Sequence, residues 1–259
     1  MIDDHLESKT QLNSNVKPMP VWESLLYFFA ITLLMIVCFY VVRPYLEQLG
    51  LNQYSAYLLS LSVVGVVMLV WTFIALRREG NLKNRETFLN RLRLKGFNSR
   101  ILGWSIGLGL LMFLSTAIFS PLISKLISDG LLPIPDQIPD YINPLKQLSI
   151  AQIKIQLISQ GVVFFIPIVL ILNIFGEEFF WRGVVFPRQE LRHGKITFLI
   201  HGLIWAFTHL FQYWLIFPIL IGSFALSYLV QRTKNTWIGI LAHLINNALP
   251  FIIMLFIPL

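Results

Sequence analysis

Six polar side chains in the last third of a very apolar chain have the types and spacing to do chemistry: Glu177, Glu178, Arg182, His209, His243 and Asn247. They sit in Gly176-Glu177-Glu178-Phe179-Phe180-Trp181-Arg182-Gly183, Trp205-Ala206-Phe207-Thr208-His209 and His243-Leu244-Ile245-Asn246-Asn247. Ionisable groups among such neighbours are costly, so each one calls for a function. On a helix Glu178 and Arg182 are four apart with the acid first, the better orientation, and can neutralise each other. Glu177 points about 100° away and has no such partner. A desolvated carboxylate without a counter-ion is suited to take a proton from water. The plainer reading is a helix end whose charges reach for the interface. His209 alone could simply bond a neighbouring helix. His243 and Asn247 share one face of the last helix and could donate to a developing oxyanion. Alternatively Glu177, His209 and His243 supply the carboxylate and two imidazoles of a divalent-metal site such as zinc. His201 fits none of these patterns and reads as a packing histidine.

Something must hold these groups together. Stretches free of Asp, Glu, Lys and Arg fall at 24–42, 48–76, 101–124, 155–176, 196–231 and 235–259. A span needs about 20 mostly apolar residues. The fifth stretch is too long for one span, and Phe211-Gln212-Tyr213-Trp214 with Pro218 marks a turn, giving helices near 196–213 and 216–231. The expected fold is all-α, a polytopic transmembrane helical bundle of about seven spans. Its parts are a polar tail (1–20), N-terminal helices with a basic loop at 77–100 (21–128), a proline-rich outer loop (129–148) and a catalytic core (149–259). Ser149 with Gln152 resembles a capping box. Gly103 with Gly107, and Ser223 with Ser227, have the spacing of close helix packing. For Glu177 to reach His209, either the fourth helix continues past Arg182 towards Pro187 or the fifth starts deeper; the expectation is the former, with the helix running to about Phe186.

The composition agrees. The chain has 259 residues, 56% hydrophobic and 13% charged, against about 25% charged in soluble domains. Its mean hydropathy is +0.70. The single cysteine, Cys38, offers neither a disulfide nor a thiolate zinc site. No cleavable leader is evident. The net charge of +7 comes from topology, and no nucleic-acid partner is expected. With the N-terminus in the cytosol and the C-terminus outside, segments 1–20, 77–100, 182–196 and 231–236 carry sixteen of the twenty Lys and Arg, as the positive-inside rule requires. The expected setting is a plasma (inner) membrane, with loop 77–100 touching anionic lipid head groups.

The order Glu-Glu-x-x-x-Arg, then an aromatic four residues before a histidine, then His-x-x-x-Asn, resembles the CPBP/Abi family over roughly residues 150–250. That family includes type II CAAX prenyl endopeptidases and bacteriocin self-immunity proteins. The resemblance implies that Glu177 and His209 activate a water, that His243 and Asn247 hold the oxyanion, and that Trp205 supports them. The second motif usually begins with Phe where this chain has Trp205. The family is often labelled metalloprotease, although its arrangement also suits a metal-free glutamate mechanism. The His-Glu-x-x-His pattern of common zinc proteases is absent.

The expected function is that of an intramembrane endopeptidase acting on a membrane-associated or CAAX-like peptide. Glu178 and Arg182 form a structural ion pair that fixes Glu177, and the site opens towards the cytosol. The rivals are a non-catalytic membrane binding or immunity protein of the same family and, behind it, a small transporter. A transporter would want polar groups at several depths in both halves, and the first half has almost none.

Overall fold

The computed structural model describes residues 16–134, 138, 143–145, 154, 155, 158 and 161–256. Among these residues the fold is helical, with no strand. A bilayer dictates this, because hydrocarbon offers no partner to a free backbone N–H or C=O. The first helix, α1, runs Val21–Gln48 with a π-helical turn at Cys38–Val42. Then come α2 (Gln53–Arg78), the short α3 (Arg85–Arg91) and α4 (Ser99–Ser128). Asn52, Asn84 and Asn98 each cap the helix that comes after them by accepting from backbone N–H groups of its first turn.

The second half is one bent helical path from Ile166 to Thr233. It contains α5 (Ile166–Glu178), a π segment (Phe179–Val185), α6 (Phe186–His193), α7 (Thr197–Phe207), a 3₁₀ stretch (Thr208–Leu215) and α8 (Ile216–Thr233). The last helix, α9, is Trp237–Phe256. Five stretches are long and apolar enough to cross a membrane, and Ile166–Thr233, counted as one of them, folds back on itself. The expectation of about seven spans agrees with this. The turn inside the long fifth run is real, but its agent is Gln212, whose backbone (φ −132°, ψ 53°) leaves the helix. Pro218 lies inside α8. The capping box at Ser149 and Gln152 lies outside the described residues.

Helix four runs farther than Phe186, continuing as α6 to His193. Pro187 explains how. It has no N–H and its ring crowds the carbonyl four residues back, that of Gly183. The chain widens into the π segment just before it, a common answer to a disturbed ladder. The carbonyls left over are taken by Arg91, which donates to Gly183 and, at 3.3 Å, to Val184. Before Pro44 the same device recurs: the π turn releases the Phe39 carbonyl, and Arg43 Nε donates to it at 3.0 Å. Arg43 is thus a buried residue rather than a loop cation.

Helix packing follows the small residues. α2 crosses α5 where Gly65 meets Gly176 and Asn173, backbone on backbone. α4 lies along α9, with Gly109 against Ile245 and the Ala242 carbonyl. Ser223 donates to the Gly202 carbonyl at 2.5 Å, joining α8 to α7. Gly103 and Gly107 break the expectation of close packing: a methyl added at either meets open space. They face outward among exposed apolar residues such as Trp104 and Leu111. α1 closes the core, with Phe28 stacked on Trp181 at 4.0 Å and Phe39 on Phe211 at 4.4 Å.

Gly176→Ala would press a methyl onto the Gly65 carbonyl. Overpacking of this kind costs roughly 1–3 kcal/mol. The expected result is a lower unfolding midpoint in detergent for Gly176→Ala and no change for Gly107→Ala, read by thermal unfolding of the two purified variants.

Candidate functional site

Glu177 and Glu178 end α5, immediately before the π segment. Both are buried. Asn173, one turn earlier, donates Nδ2 to Glu177 Oε1 at 3.0 Å. The other oxygen of Glu177, Oε2, is buried without a protein partner. Glu178 makes a different set of contacts. Its Oε1 accepts from Arg182 Nη1 at 3.1 Å and lies 3.1 Å from Nδ1 of His243. Glu178 and Arg182 are both 0% exposed. The guanidinium also lies over the Trp205 ring, 4.3 Å from its centroid, a contact that gains strength where water is excluded.

Trp205 gathers the histidines. Its ring meets His209 edge-on at 5.0 Å and His243 at 6.1 Å. His209 sits just past the end of α7 with φ −86° and ψ 21°, the sparsely populated bridge region. Its Nδ1 lies 3.3 Å from the Trp205 carbonyl. Tyr40 donates to the Phe211 carbonyl of this bent stretch at 2.6 Å, and Ser115 donates to the Pro218 carbonyl at the start of α8 at 3.1 Å. On α9, Asn246 donates Nδ2 to Asn247 Oδ1 at 2.8 Å, which leaves the Asn247 amide N–H groups uncommitted to it. Glu177, Trp205, His209, His243, Asn246 and Asn247 all line one cavity of about 480 Å³.

The trio Glu177, His209 and His243 does not fit a metal site. Among the described residues no three His, Cys, Asp or Glu side chains group as metal ligands. His201 lies elsewhere. It is buried between Phe28, Trp181 and Phe186, with Nδ1 2.7 Å from Gln189 Oε1, and it does not line the cavity.

Residues 159–249 match the family model for type II CAAX prenyl endopeptidases of the Rce1-like kind. The matched stretch lies in the C-terminal part of the chain and holds all three motifs. Comparison with curated proteins and with solved structures gave no match. The Rce1-like match supports protease activity, and with the apolar helices it makes this an integral membrane protein.

Several features of the site escape the motifs. Asn173 is one turn before Glu177 in an apolar run, and an amide in such a run is a legible signal. Gly239 is four residues before His243, and a methyl there would land on Glu178 Oε2. The basic loop is part of the assembly as well. Arg91 binds Glu79 through Nε at 2.6 Å and Nη2 at 2.9 Å while gripping the π segment. Arg93 and Lys234 share Glu190. Burial pushes the Lys234 ammonium below the usual lysine range, against the pull of Glu190. Arg182, which the charge count places with the cytosolic segments, is inside the protein.

Gly239→Ala would displace the Glu178 carboxylate from both of its partners. Small misplacements of a site can cost about 100-fold in rate. The expected outcome is that loss with the protein still folded, measured as peptide release by equal amounts of wild type and variant in membranes.

Proposed function

We propose that the protein is an intramembrane endopeptidase in which Glu177 and His209 activate a water and His243 and Asn247 hold the oxyanion. The observation that carries this is the Glu177 carboxylate. One oxygen is fixed by Asn173 and the other is free, on the wall of the cavity that His209, His243 and Asn247 also line.

A water attacking the peptide carbonyl gives up a proton to the free oxygen of Glu177, with His209 as its second contact. The carbonyl oxygen becomes negative and takes hydrogen bonds from His243 and Asn247. His243 can donate from Nε2 while Nδ1–H points to Glu178 only as the imidazolium, and the Glu178 carboxylate balances that charge. Arg182 neutralises Glu178 from the other side. When the C–N bond breaks, Glu177 returns the proton to the leaving amine. The substrate is a peptide or protein segment within or against the bilayer, and lipids surround the bundle. By the positive-inside rule the end carrying loop 77–100 faces the cytosol, with the N-terminus there and the C-terminus outside.

Glu177→Gln keeps the shape and removes the base. Loss of a general base costs about 10²–10⁴-fold. The expected outcome is that new peptide termini, read by mass spectrometry of native membranes, are present with wild type and missing with the variant at matched expression. Equal cleavage by both would sink the glutamate mechanism. The family's non-catalytic binding role would then account for the cluster.

A further inference from the structure

The cavity belongs to one half of the bundle. On α5 and α9 its lining residues nearest the basic loops are Glu177 and His243, and the other lining residues of these two helices lie farther from that end. α5 contributes Leu170 and Asn173, towards its start at Ile166; α9 contributes Asn246 to Phe251, towards its end at Phe256. α4 contributes Met112, Phe113 and Ser115 to Ala117, and the bent stretch contributes Phe211, Gln212 and Leu215. No residue of 77–100, 182–196 or 231–236 lines it. Those segments form the opposite, basic end.

That basic end is closed. Beneath Glu178 and Arg182 lie Val184, Val185 and Phe186, all fully or nearly fully buried, with Leu92 packed on Gly183. The loop is laced over them. Besides the Arg91 and Arg93 bonds, Thr236 gives its N–H to the Arg93 carbonyl at 3.0 Å and its hydroxyl to the Leu92 carbonyl at 2.7 Å. The segment before α1 adds buried Met19, whose N–H reaches the Arg188 carbonyl at 2.9 Å. With the basic end in the cytosol, as proposed above, the cavity lies on the other side of this closure, where the sequence reading expected an opening towards the cytosol.

We infer that the substrate reaches Glu177 from the half of the membrane remote from the basic loops, as an apolar, uncharged peptide segment; this rests on the proteolytic reading above. Along α5, Glu177 is eleven residues from Ile166, or about 17 Å at 1.5 Å per residue. The chemistry of the wall fits this substrate. No Lys, Arg or Asp lines the cavity, and most of its wall is apolar. A peptide opened for cleavage in such a place exposes backbone groups that hydrocarbon cannot satisfy. Ser115, Thr116, Gln212, Asn246 and Asn247 supply donors and acceptors along the path. A tail arriving from the cytosol would meet the laced end instead.

The test is side-specific labelling, which needs no cleavage. Cys38 is the one cysteine and is buried, so single cysteines can be placed in a Cys38→Ala chain. Thr116→Cys and Gln212→Cys probe the cavity, and Lys83→Cys, on an exposed part of the basic loop, marks the other side. Each is treated with a membrane-impermeant maleimide in right-side-out and in inverted vesicles. The two cavity positions are expected to label only in right-side-out vesicles and Lys83→Cys only in inverted ones. Cavity labelling in inverted vesicles, or in neither, would overturn the inferred route. Route and protease fail separately. The expected labelling without any Glu177-dependent cleavage would leave the route and remove the protease, and cleavage with inverted labelling would do the reverse.

Discussion

Glu178 and Arg182 form an ion pair that is fully buried, and the surroundings are arranged around that fact. Breaking a buried pair by removing one partner costs far more than the pair is worth, because the survivor is left uncompensated. The pair is therefore reinforced from three sides. Trp205 offers its ring to the guanidinium, His243 its Nδ1 to the carboxylate, and Gly239 the space that the carboxylate fills. These residues come from α5 and its π extension, α7 and α9. One ion pair thus sets the separation of the three elements that carry the motifs. Glu177, one residue along, is turned away from the pair and towards the cavity.

Much of this is written in the residue pattern. Ionisable side chains in apolar runs stand out by their cost, and the spacings four apart place Glu178 beside Arg182 and Trp205 beside His209 before any coordinates are known. The charge-free runs also outline the spans. What the pattern does not contain is contact across long separations. Nothing near His243 announces that its Nδ1 meets Glu178, 65 residues earlier. The paired glycines at 103 and 107 look like a packing seam but face outward, whereas the working seam uses Gly65 and Gly176, which are inconspicuous in sequence. Spacing reports which residues share a face of a helix, and only packing decides what that face touches.

The direction of the cavity was hidden for a related reason. Charge count marks the basic end of the bundle, and the site charges are grouped with it because Arg182 is close to that end in sequence. Folding separates the two groups. The loop arginines turn inward to bind freed carbonyls and carboxylates, and the site charges face the other half. A residue type that signals topology can also serve as mortar once the chain is compact.

Arg91 carries this double duty into the order of assembly. Its carbonyl partner on the π segment is Gly183, 92 residues later in the chain. During synthesis the loop leaves the ribosome long before that partner exists. Until then Arg91 has Glu79, twelve residues before it, as its partner. When the π segment arrives, the same guanidinium keeps Glu79 and adds the carbonyls of Gly183 and Val184. Glu178 meets His243 only when the last helix arrives, so the polar cluster closes at the very end of synthesis.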